Sequence, residues 1–101
     1  MSNHVIETVI FRLVEGMHQE RFLEAAQQAT AFITRRPGFL SRRLSCEENG
    51  TWIEHVEWAS MADAKAAAAE IEGAEDTRAF MSAIDGPTVK ITHSELRVSV
   101  G

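Results

Sequence analysis

Two hydrophobic periods alternate along the chain, and the places where one gives way to the other divide it into elements. From Val5 to Leu13 the run is rich in β-branched and aromatic residues, which predicts a first strand. Val5, Val9, Phe11 and Leu13 fall on one side of it and Ile6, Thr8, Ile10 and Arg12 on the other, so much of both faces is apolar. After Gly16 the period lengthens. Phe22, Ala25, Ala26, Ala29, Phe32 and Ile33 recur at about 3.6 residues and predict a helix from His18 to Arg35, closed by Arg35-Arg36-Pro37-Gly38. The two-residue period returns in Phe39 to Glu47, where Leu40, Arg42, Leu44 and Cys46 alternate with Ser41, Arg43, Ser45 and Glu47. Asn49-Gly50 then predicts a tight hairpin into a third strand, because both residues tolerate the positive φ of such turns.

That third strand, in the run Thr51 to Ser60, holds both tryptophans. Trp52, Glu54, Val56 and Trp58 point one way and Ile53, His55 and Glu57 the other, which gives two faces that are each part apolar and part polar. One side is expected to cover a core and the other to meet a partner or a cavity. Ser60 followed by Asp63 has the spacing of a helix N-cap, so strand passes into helix almost without a loop, and an alanine-rich tract carries that helix to Ile71. A short helix from Asp76 to Ile84 is expected to turn Phe80, Met81 and Ile84 inward. Thr88 to Val98 reads as a fourth strand, with Val89 and Ile91 opposite Leu96 and Val98. The order β-α-β-β-α-(α)-β predicts an α+β, ferredoxin-like domain spanning residues 1–101. In that arrangement four antiparallel strands carry helices on one face.

Composition narrows the function classes. With 45% hydrophobic and 25% charged residues the chain is expected to form one folded core. A formal net charge of −5 argues against nucleic acid and anionic lipid as partners, and the pairs Arg35-Arg36 and Arg42-Arg43 do not build a basic stripe. A single cysteine, Cys46, rules out an internal disulfide and fits a reducing compartment. No stretch approaches transmembrane length, and Met1-Ser2-Asn3-His4 lacks the start of a secretory leader, so the cytoplasm is the expected location and no membrane the expected partner.

The length, the strand order and above all Glu57-Trp58-Ala59-Ser60-Met61-Ala62-Asp63-Ala64, a strand ending in Trp with Ser opening a helix, resemble the antibiotic biosynthesis monooxygenase family of dimeric α/β-barrel proteins. The resemblance runs from about Val5 to Val98. It implies a homodimer whose two sheets pack face to face, a pocket for a small apolar or aromatic ligand between sheet and helices, and oxidoreductase chemistry that needs no cofactor. Haem-degrading members share an Asn on the first strand, a Trp in the second helix and a His beyond it, and this chain has none of these. Polyketide-oxidising members pair a Trp like Trp58 with an Asn and a Tyr; here there is no tyrosine, and Glu54 stands on that strand.

Cofactor-free oxygenation requires a base that turns a phenol or quinol into an electron-rich anion. Among the four histidines, His55 and His93 sit mid-strand and are the candidate bases. For such an enzyme Trp58 is expected to be a stacking wall, Arg42 to stabilise an oxyanion, and Phe22 and Phe80 to line the pocket. The alternative for each is structural: a hydrogen-bonded strand histidine, or an aromatic residue bracing the core. Trp52, just after the hairpin, is expected at the dimer interface. Pairing His55 and His93 with Glu57 or Glu95 as a metal site lacks any local ligand spacing, so no metal is expected. A non-catalytic small-molecule-binding or stress-associated dimeric α/β-barrel protein is the alternative function.

Overall fold

The computed structural model describes residues 3–101, so Met1 and Ser2, on which the expectation about a leader partly rests, lie outside the described residues. Strands β1 (Val5–Phe11), β2 (Phe39–Cys46), β3 (Trp52–Trp58) and β4 (Lys90–Glu95) form one antiparallel sheet in the order β2-β3-β1-β4. Helices α1 (Gln19–Ile33), α2 (Met61–Gly73) and α3 (Arg78–Ala83) cover one face of it. This is the expected ferredoxin-like α+β architecture.

Register decides which side chains meet. Phe11 pairs with Trp52, Glu7 with Val56 and Val5 with Trp58, so the inward sets of β1 and β3 lie on the same side of the sheet. There Phe22 of α1 packs edge-on to Trp52 at 4.8 Å and to Phe11 at 5.8 Å, and stacks on Phe80 at 5.3 Å between centroids. Trp52 is thus a core residue, 4% exposed, and not part of the outer sheet face as expected. The expectation missed that Trp52 shares the parity of Val56 and Trp58, which α1 and α2 cover.

Turn chemistry sets the ends of the elements. In the β2–β3 hairpin only Gly50 takes positive φ, at 89°, while Asn49 does not; the Gly50 amide donates to the Glu47 carbonyl and Asn49 Oδ1 accepts from the Thr51 amide. A three-residue loop with glycine in the left-handed position therefore replaces the two-residue turn expected from Asn-Gly. Gly38 at φ 82° lies against the start of α2, where a Cβ would collide with the Asp63 carboxylate. Ser60 caps α2 as predicted, its hydroxyl accepting from the Asp63 amide at 3.1 Å. An irregularity between Phe39 and Ser41 interrupts β2, turning Leu40 outward, 44% exposed, although the alternation placed it with Arg42. Phe32, expected on the buried stripe of α1, is only half-buried, with the Arg36 guanidinium 4.0 Å from its ring centre and Arg36 paired to Glu70 of α2. The last strand is shorter than predicted: beyond Glu95 only the Leu96 amide, donating to the His4 carbonyl, continues the pairing, and Val98 and Val100 are exposed.

Candidate functional site

Helix α1 lies over the β2–β3 half of the sheet, where Phe22 meets Trp52 and the Ala26 carbonyl meets Arg42. The β1–β4 half is covered by α2 and the six-residue α3, with α1 reaching it through Phe22 and Ile33, and every residue of β4 is exposed. Helix α2 offers little bulk, because Ala64 and Ala67 face inward and Ala68 borders the space beside them with a single methyl. A cavity of about 290 Å³ remains between sheet and helices. Glu7, Val9 and Glu54 form its floor; Phe11, Ile33, Phe80, Ile71 and Ile84 its walls. Met81, Val89 and Ile91, three of the exposed large apolar residues, stand at its mouth beside Glu72. Met81 was expected to point into the core. The helix ends two residues later, which leaves it at this rim.

The floor carboxylates are held in different ways. Glu7 accepts from the Trp58 indole Nε1 on one oxygen, at 3.2 Å, and pairs with His93 Nε2 on the other, at 3.1 Å. A carboxylate only accepts, so the His93 ring donates from Nε2. Glu54 is one strand over and diagonal to Glu7, since Val9 is its cross-strand partner. Its carboxylate takes the Arg42 guanidinium, 2.7 Å from Nε and 3.4 Å from Nη2, with both side chains under a tenth exposed. Arg42 Nη1 also donates to the Ala26 carbonyl and to Thr30 Oγ1, and the guanidinium rests 5.1 Å from the Phe80 ring centre.

The residues singled out from sequence separate into three groups. Phe80 lines the cavity. Trp58, His93 and Arg42 do not line it but hold its floor carboxylates, Trp58 and His93 on Glu7 and Arg42 on Glu54; Trp58 is 1% exposed and packs on Phe39. Phe22 is a fully buried core residue behind Phe80. His55 lies on the other face of the sheet, exposed, across from Thr8 and Arg43. It cannot converge with His93, because their cross-strand partners on β1, Thr8 and Glu7, are consecutive and point to opposite faces. Sequence reasoning missed Glu7 as a site residue. Its signal was there: a carboxylate interrupting the inward set Val5, Val9 and Phe11, as Glu54 interrupts Trp52, Val56 and Trp58.

No family model matches the chain, and no curated protein matches it. Solved structures do. A variant of SnoaB, a cofactor-independent oxygenase from Streptomyces nogalater, superposes with a TM-score of 0.76 at 17% identity, over 96% of each chain. A proposed antibiotic biosynthesis monooxygenase from Bordetella bronchiseptica gives 0.77 at 13% identity, over 95% of this chain and 99% of that one. Another from Caulobacter crescentus gives 0.72 at 14% identity, over 96% and 92%. The chain has the ferredoxin-like fold of the antibiotic-monooxygenase-like structures, with the same four-stranded antiparallel sheet and flanking helices.

Proposed function

We propose that the protein is an oxidoreductase that oxygenates a small phenol or quinol in the cavity between sheet and helices, without a cofactor. The observation that carries this reading is the Glu7 carboxylate, set into an apolar cavity and oriented by Trp58 and His93. A ring hydroxyl at the floor would give its proton to Glu7, and the anion left behind is electron-rich enough to react with O₂. Conversion of a naphthol to a naphthoquinone places one oxygen atom in the product and the other in water. The substrate supplies all four electrons, so the stoichiometry calls for no external reductant. His93 and Trp58 are positioning residues in this scheme; His55 has no part in the cavity. The fold shared with a cofactor-independent oxygenase supports the assignment. The protein works, on this proposal, as a cytoplasmic homodimer joined through the uncovered sheet faces. Among the described residues no helix is long and apolar enough to cross a membrane.

Oxygen uptake by metal- and flavin-free protein on a panel of hydroquinones and naphthols tests the scheme. Uptake with quinone formation and no peroxide is expected, reduced on the order of 100-fold in Glu7→Gln. One observation favours a second reading, a non-catalytic binder of small aromatic ligands: Arg42, the expected oxyanion partner, is already held by Glu54, Thr30 and the Ala26 carbonyl. Absence of uptake with every phenol would leave that reading standing.

A further inference from the structure

The charged groups of the cavity are unequal in number. Glu7, Glu54 and Glu72 line it, and no lysine or arginine does. Arg42 sits behind the floor and answers Glu54. Glu7 receives an indole N–H and an imidazole N–H, and Glu72 has no ion-pair partner among the described residues. An anion entering past Met81, Val89 and Ile91 would meet the solvent-screened Glu72 at the mouth and then Glu7 at the floor, between apolar walls where Coulomb terms are less screened. A cation would find two carboxylates not neutralised by arginine. We propose that the cavity selects by charge, taking a hydroxyarene that bears an ammonium group and rejecting carboxylated arenes. The proposal rests on the cavity being the substrate site.

Three probes of one shape and different charge test it: 1-naphthylmethylamine, 1-naphthol and 1-naphthoate, titrated into the intact protein and followed by the Trp58 indole N–H resonance and by calorimetry. The ammonium probe is expected to bind about tenfold more tightly than the naphthol, with the naphthoate weakest. Glu72→Gln, at an exposed rim position that no packing depends on, and Glu7→Gln should each narrow the ratio of amine to naphthoate. Glu48→Gln, which removes the same formal charge in the exposed hairpin, should leave it unchanged. Equal affinities, a preference for naphthoate, no binding by any probe, or an equal response to Glu48→Gln would each overturn the proposal. The outcome is separable from the oxygenase assignment. Charge-ordered binding without oxygen uptake defeats the assignment and leaves the selectivity. Faster uptake with 1-hydroxy-2-naphthoate than with 1-naphthol does the reverse.

Discussion

Arg42 and Glu54 are the most consequential pair of side chains in the molecule, because both are removed from water and, among the described residues, each is the other's only charged partner. Burying two ions is costly, and the loss is recovered only while the geometry holds and the remaining donors are used, as they are here by Ala26 and Thr30. Removal of one ion strands the other. Arg42→Met is expected to lower unfolding free energy by about 3 to 5 kcal/mol in urea titrations, whereas Arg42→Met combined with Glu54→Leu should recover most of that loss. Additive losses in the double variant would show that the pair is not coupled. From sequence, Arg42 was a candidate to bind a substrate oxyanion. Its inward direction was legible from the alternation with Arg43, but its partner, twelve residues away across the hairpin, depends on register. The same holds for Trp58: its parity was visible, its hydrogen bond to Glu7 of another strand was not.

Among the elements, α2 was read most accurately, because its start is local chemistry: Ser60 at the cap and alanines after it. What the local signal did not show is that Gly38, from the turn before β2, is packed against that start, with its carbonyl taken by the Ala59 amide at 2.8 Å. Two variants separate the contributions. Ser60→Ala removes one cap hydrogen bond and should cost about 1 kcal/mol. Gly38→Ala forces a Cβ both into the left-handed region and onto Asp63, and should cost about 2 kcal/mol or more. Thermal melts followed by circular dichroism check the order, and an innocuous Gly38→Ala would mean that the α2 start yields easily. Strand β4 was read too long because Leu96 and Val98 continue an apolar alternation. The ladder stops where β1 begins, at the Val5–Glu95 pair, with one further bond from the Leu96 amide to the His4 carbonyl, and a strand cannot outlast its neighbour's hydrogen bonds.

At the scale of the whole molecule, the sheet has one face under helices and one without them. The uncovered face carries Ile6, Ile10 and Ile53, with Ile10 directly across from Ile53, the Thr8–His55 pair between them and Ile6, and Arg43 and Glu57 alongside. The Glu57 carboxylate is held by His4 at 2.8 Å. Half-exposed isoleucines in the middle of a sheet suit a second copy packed against them. Light scattering should then give twice the 11.2 kDa chain mass, and Ile10→Glu should return the protein to monomer with its helix content unchanged. A monomer mass for the unaltered chain at all concentrations would dispose of the sheet-to-sheet dimer.

What the sequence determined by itself is what periodicity and turn chemistry encode within a few residues: the element order, the antiparallel hairpin, the parity of β1 and β3 and the cap of α2. Tertiary structure decided the rest, because it depends on which distant residues share a face and how much of that face the helices leave bare. Alternation put His55 and His93 mid-strand, but only pairing to Thr8 and Glu7 shows them on opposite sides of the sheet. Similarly, Glu7 is one polar letter in an apolar strand until the short α3 and the alanines of α2 leave a space above it. A cavity is the volume that packing does not fill, and it arises from several elements at once.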